Sequence, residues 1–283
     1  MSFRQHYVQC ASPAGLHRMA YGEWGDAANP RVLICVHGLS RVSRDFDALA
    51  TALQDHYRVV CVDIVGRGKS DWLRDPTHYQ IPQYVSDMVT LLARLNAPTV
   101  HWVGTSMGGL IGIGLAAQPS NPIEKLVLND VGPLIQGAAL KRIGEYLGSA
   151  PTFASLDEAT AYVSAVSASF GPHTSAQWRF LTEHVTKPTA DGRLTMHYDP
   201  NIAVPFRSAP AGDQALWSLY DQITCKTLVM RGEHSDLLSP ATFAEMQARG
   251  PKAQGVTTLG VGHAPTLLHA DQITPIKEFL LRS

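Results

Sequence analysis

Four short runs in the first half of the chain are apolar at nearly every position: Val32-Leu33-Ile34-Cys35-Val36, Val59-Val60-Cys61-Val62, Val100 to Val103 and Leu126-Val127-Leu128. A strand with one wet face alternates polar with apolar residues. Runs without alternation belong to a sheet covered on both faces, which is the habit of parallel sheets. Helical periods separate them, clearest in Tyr84, Met88, Leu91, Leu92 and Leu95 and in the Gly-rich stretch Met107 to Ala117. Strand alternating with helix predicts a doubly wound α/β sheet. The rhythm resumes at Thr227-Leu228-Val229-Met230 and Val256 to Leu259, and closes on a helix with Ile273, Ile276, Phe279 and Leu280 on its apolar face. Ahead of it all, His6 to Ala11 and His17 to Trp24 predict an antiparallel edge hairpin turning near Pro13-Ala14-Gly15.

The stretch from about Leu134 to Ile223 breaks this rhythm, with several helical patterns and little strand signal. Ser155-Leu156-Asp157-Glu158 and Thr174 to Gln177 have the form of capping boxes, each opening a helix. Pro188 to Gly212 is loop-like, with a turn at Asp191-Gly192. The expected organisation is a core of residues 1–133 and 224–283 with a mainly helical cap, or lid, inserted as residues 134–223.

Composition narrows the function. The 283 residues carry 23 Lys+Arg against 24 Asp+Glu, a net charge of -1. With no basic field, neither nucleic acid nor a membrane surface is an expected partner. No apolar stretch reaches the roughly 20 residues that cross a bilayer, and Met1 to Ser12 lacks a signal-peptide core, so the expected location is cytoplasmic. Cys10, Cys35, Cys61 and Cys225 have no metal-ligand or redox spacing, so buried free thiols are expected, with no bridges and no metal site.

Ligands of open parallel sheets bind beyond the carboxyl ends of the strands. Those positions are conspicuously polar here: His37-Gly38, Asp63, Ser106, Asp130, Asp236 and His263. Gly104-Thr105-Ser106-Met107-Gly108 matches G-x-S-x-G between a strand and a helix, where the turn is so tight that bulky neighbours would clash. A serine hydroxyl needs a base, and the base needs a carboxylate to hold its tautomer. His263 is the expected base. Asp236, after the strand at Val229-Met230, is the expected acid, with Asp130 as its rival. Oxyanion donors are expected in the backbone N–H groups of Met107 and Leu39.

His37-Gly38, the D-x-x-G-x-G-x-S run Asp63 to Ser70, Gly104 to Gly109, Arg231 to Asp236 and Gly262-His263 together resemble the α/β-hydrolase fold superfamily, in its esterase and carbon–carbon hydrolase branch. The resemblance implies a mostly parallel sheet of about eight strands flanked by helices, a Ser-His-Asp triad and no cofactor. Ser106 separates the chain from the branch's dehalogenases and epoxide hydrolases, which place a carboxylate there. Thr105 before the nucleophile and Ala264-Pro265 after the histidine depart from the meta-cleavage-product hydrolases, which have Asn and an aromatic.

The expected function is a serine hydrolase working through an acyl-enzyme on a small ester-like molecule. Carbon–carbon hydrolysis, acyl transfer, or a receptor that keeps the triad are the alternatives. Substrate contacts are expected from His37, Gly38, Ser40, Arg41 and Trp178, in a monomer or homodimer. Gly68-Lys69-Ser70 and Gly112 to Ala117 imitate phosphate-binding and dinucleotide motifs only as letters.

Overall fold

In the computed structural model of the protein, which describes residues 3–207 and 212–282, eight strands form one sheet. They are β1 (Arg4–Ser12), β2 (Gly15–Trp24), β3 (Val32–Val36), β4 (Arg58–Asp63), β5 (Val100–Thr105), β6 (Ile123–Asn129), β7 (Lys226–Gly232) and β8 (Gln254–Thr258). Their order across the sheet is β1-β2-β4-β3-β5-β6-β7-β8. The β1–β2 and β2–β4 pairs are antiparallel and the remainder parallel. The hairpin and the count of about eight strands follow the expectation.

Alternate residues within each apolar run serve opposite faces, as a pleat with period two requires. Val32, Ile34, Val36, Val60, Val62, Trp102, Leu126 and Leu128 pack with α2 (Ile81–Leu95) and α3 (Met107–Ala116). Leu33, Cys35, Val59, Cys61, Val103, Val127, Leu228 and Met230 pack with α1 (Asp47–Leu53) and α8 (Ala270–Leu281). Helix α2 carries Pro82 in its first turn and ends at Asn96 in the left-handed region, an arrangement that starts and stops a helix cleanly.

Between β6 and β7 the chain makes α4 (Gly137–Tyr146), α5 (Leu156–Val166) and α6 (Ser175–Val185), and α7 (Pro240–Ala248) joins β7 to β8. Thr174 and Gln177 form the full reciprocal cap. Ser155 accepts from the Glu158 N–H, while Glu158 turns its carboxylate to the N–H of Ala154 instead of closing the box. The insertion holds more strand than its sequence suggests. Thr152–Phe153, Leu194–Met196 and Thr186–Pro188 form a small antiparallel sheet, and Leu134–Ile135 pairs with Gln214–Ala215. Strands of two or three residues are too short to display a period. The loop-like stretch Pro188 to Gly212 thus supplies a hairpin turning at Gly192 and the helical turn Val204–Arg207, while its residues 208–211 lie outside those described.

From β3 the chain turns to β4 on one side and then crosses to β5 on the other. Crevices open at such a switch point, at the carboxyl ends of the two strands. The loop after β3 and the turn after β5 meet there.

Candidate active site

Ser106 occupies the turn from β5 into α3 with φ 51° and ψ −115°, a conformation that costs about 1–3 kcal/mol for a side-chain-bearing residue. Close approach fixes it. A Cβ at Gly108 would lie 2.0 Å from the Val36 carbonyl oxygen, and one at Gly104 would lie 2.2 Å from the Gly108 oxygen. Only glycine fits at either place. The Ser106 N–H donates to the Asn129 carbonyl (3.0 Å), and Trp102 Nε1 donates to the Gly108 carbonyl (3.1 Å). The Asn129 side chain then donates to Thr105 Oγ1 (3.0 Å) and to the Pro265 carbonyl (2.8 Å), tying this turn to the loop that carries His263.

His263 Nε2 lies 2.9 Å from Ser106 Oγ, and His263 Nδ1 lies 2.7 Å from Asp130 Oδ2. With its Nδ1–H donated to a carboxylate, the imidazole turns a lone pair on Nε2 toward the serine hydroxyl. Asp130 is 0% exposed. Its Oδ1 accepts from the Gly232 N–H (2.8 Å) and its Oδ2 from Ser235 Oγ (2.7 Å), so the buried carboxylate is fully satisfied.

The expectation that Asp236 orients His263 is not met. Asp236 has a side chain 50% exposed, and it pairs with Arg142 on α4. The loop after β7 is wound around Arg231, whose guanidinium donates to the carbonyls of Leu238 (2.8 Å) and Glu233 (3.1 Å). That winding turns Ser235 inward, onto Asp130, and Asp236 outward. The carboxylate at the histidine therefore comes from the end of β6, one strand earlier than expected.

Arg67 escaped the sequence reading. It sits within the D-x-x-G-x-G-x-S run, whose Asp63 accepts from the N–H groups of Ser43 (2.7 Å) and Lys69 (2.9 Å). This network folds Arg67 beneath the site, 0% exposed. Its guanidinium donates to the carbonyls of Leu39 (2.8 Å) and Val65 (2.8 Å) and to Tyr84 Oη (2.9 Å), and lies 3.6 Å from Met107 Sδ. It also stands over the rings of Tyr79 and Tyr84. One buried cation thus touches both residues expected to supply the oxyanion donors.

Residues 33–275 match the model of the alpha/beta hydrolase family. The chain belongs to that family. A 3-hydroxybutyrate-oligomer hydrolase from Cupriavidus necator is 55% identical over 98% of this chain and 97% of its own length. The crystal structure of an alpha/beta hydrolase from Novosphingobium aromaticivorans superposes with a TM-score of 0.88 at 36% identity, covering 99% of both chains. A Rickettsia typhi structure gives 0.92 at 31% identity, covering all of both. The protein is an alpha/beta hydrolase enzyme, as the motifs led one to expect. Among the described residues no helix is long and apolar enough to cross a membrane.

In this hydrolase Ser106 and His263 open into a cavity of about 330 Å³. One wall is the loop His37 to Arg41. The other comes from the insertion, including Ile143, Tyr146, Tyr162, Val163, Met196 and Tyr198. Gly38 brings the first wall close, since a Cβ there would stand 3.7 Å from that of Ser106. His37 is spent on shaping its loop and does not present a free atom to a substrate, contrary to expectation. Its Nε2 accepts from the Ile64 N–H (3.0 Å), so its Nδ1 carries the hydrogen and donates to the Gly38 carbonyl (2.6 Å). Burial pushes its pKa down to about 3, so it stays neutral. Ser40 and Arg41 line the cavity, but Arg41 is bound bidentately by Asp45 (2.7 and 2.7 Å) and lies over the Phe170 ring. Trp178, expected at the substrate, packs instead against Phe170 and His173 and does not line the cavity.

The insertion is fastened to the histidine loop. The Gly262 N–H donates to the Ser169 carbonyl (2.7 Å), and Ser169 Oγ donates to the His263 carbonyl (2.7 Å). A larger cavity, about 760 Å³, opens at the far end of the sheet near Arg31, Lys125 and Lys226, remote from Ser106. There the Lys125 ammonium is engaged with the last carbonyls of α8, at Phe279 (3.2 Å) and Leu280 (3.0 Å).

Proposed function

We propose that this enzyme is a serine ester hydrolase with Ser106 as nucleophile, His263 as general base and acid, and Asp130 as the group that orients His263. The observation carrying this reading is the unbroken hydrogen-bond chain from Asp130 through His263 to Ser106, ending at a cavity. Ser106 Oγ attacks the ester carbonyl as His263 Nε2 takes its proton. The N–H groups of Leu39 and Met107 receive the oxyanion, Met107 being the first residue of α3, where N–H groups have no partner within the helix. The intermediate collapses, the C–O bond to the alcohol breaks, and His263 returns the proton to that oxygen. Water, deprotonated by His263, then attacks the acyl-enzyme; the acyl C–O bond to Ser106 breaks, His263 returns the proton to Ser106 Oγ, and the acid leaves. Residues 134–223 serve as a cap that roofs the scissile bond.

The name of the Cupriavidus necator relative supports short oligomers of 3-hydroxybutyrate as the substrate. The lining suits them: Ile143, Val163 and Met196 offer apolar surface to methyl branches, and Ser40, Tyr146, Tyr162 and Tyr198 offer hydroxyls to ester oxygens. The test is incubation of wild type and Ser106→Ala with the 3-hydroxybutyrate dimer and trimer, following free monomer by chromatography. Wild type is expected to release monomer, with the variant slower by about 10³-fold or more. Undiminished release by the variant contradicts the nucleophile.

A further inference from the structure

We propose that Arg142 is the binding site for the free carboxylate that ends such an oligomer, and that Asp236 holds Arg142 in place until the substrate arrives. The inference rests on the ester-hydrolase reading above. Two arginines, Arg41 and Arg142, line the cavity among the described residues. Arg41 has a side chain 12% exposed and is already matched fork to fork by Asp45, with Leu181 O and the Phe170 ring as further partners. Three of its five N–H groups are engaged, and its charge is already matched by Asp45. Arg142 differs in each respect. Its side chain is 46% exposed, and it meets Asp236 through Nη1 alone. A guanidinium has five N–H donors, so a second, bidentate partner is available to it.

The placement also fits the chemistry. Arg142 and Tyr146 stand four residues apart on α4, hence on one face of that helix, and both line the cavity with Ser106 and His263. Arg142 and Asp236 are both near enough to Tyr146 to act on its hydroxyl electrostatically. The pair therefore joins the insertion to the core at the cavity that Ser106 and His263 line. An exposed single-contact ion pair is worth little, so a carboxylate arriving from solvent can displace Asp236 at small cost. The substrate class that follows is a short ester with a free acid end, a few bonds beyond the carbonyl attacked by Ser106. A neutral ester of the same length has no claim on Arg142.

The test compares kcat/KM for the 3-hydroxybutyrate dimer and for its methyl ester, in wild type, Arg142→Gln, Arg142→Lys and Asp236→Asn. Wild type is expected to prefer the free acid, with a preference that shrinks as salt is added. Arg142→Gln should lower that ratio about tenfold or more, chiefly through KM for the acid. Arg142→Lys should restore part of it, and Asp236→Asn should raise it severalfold by removing a competing anion. A ratio unchanged in Arg142→Gln, or a wild type that prefers the methyl ester, overturns the assignment while leaving the ester-hydrolase reading intact. No hydrolysis of either compound by wild type overturns both. Circular dichroism of each variant separates misfolding from lost recognition, and the wild-type salt dependence decides independently of any variant.

Discussion

At the scale of the residue, the proposed chemistry depends on which carboxylate serves His263. Asp130 is buried and bound to the imidazole, whereas Asp236 is exposed and bound to Arg142. Asp130→Asn is therefore expected to lower kcat on p-nitrophenyl butyrate by about 10³- to 10⁴-fold, because an amide no longer holds the required tautomer. Asp236→Asn is expected to lose far less. Steady-state rates of the two variants side by side check this, and the reverse order contradicts it. Arg67 carries a second prediction. Its Nε–H fixes the Leu39 carbonyl and its guanidinium lies 3.6 Å from Met107 Sδ, so its charge sits beside both proposed oxyanion donors. Arg67→Lys keeps the charge and loses the fork, so kcat should fall about tenfold with KM little changed. Equal losses in both constants, or none, would argue that Arg67 only packs.

At the scale of the element, the turn from β5 into α3 is where backbone geometry and chemistry coincide. Gly108→Ala should cost about 3 kcal/mol or more, since its methyl group meets a backbone carbonyl at 2.0 Å that neither β3 nor α3 can yield. Urea denaturation measures it, and a loss under about 1 kcal/mol would show that the two elements can separate freely. This turn was legible in the sequence because glycine spacing reports close approach directly. Ser106 and His263 were legible for a related reason, as both directly follow predicted strands or their short loops. The acid was not legible. Asp130 and Asp236 both follow strands, and the choice between them depends on how Arg231 winds the intervening loop, which pattern cannot express. Trp178 failed similarly: its period places it on a helix face without saying whether that face meets the cavity or the rings of Phe170 and His173.

At the scale of the whole molecule, the sheet was legible because its strands are apolar on both sides, while the insertion was legible only as helices. Its strands are two or three residues long and leave no local period, and two of their three pairings reach across tens of residues. One buried and two half-buried imidazoles set a property of the entire fold. His37 is held near 3, and His101 and His197 near 4, each by burial, against an ordinary value of 6.5. Below 6.5 the unfolded chain takes up protons there that the folded chain refuses. Stability is thus intact at neutral pH and falls as pH drops through 6.5 toward 4, by up to about 1.4 kcal/mol per pH unit for each imidazole. Buried Asp63, with its pKa raised by burial, works in the opposite direction but is a single group. Urea midpoints measured from pH 7 to pH 4.5 should decline steadily; a flat series contradicts imidazoles held neutral by the fold.

The central claim, that Ser106 carries the acyl group, is tested most directly by acid-quenching the enzyme within its first turnovers of p-nitrophenyl butyrate and mapping the peptides by mass spectrometry. One butyryl group is expected, on the peptide containing Ser106 and at that residue, absent from Ser106→Ala. A butyryl group on another residue, or full turnover by Ser106→Ala with none on the enzyme, would contradict it.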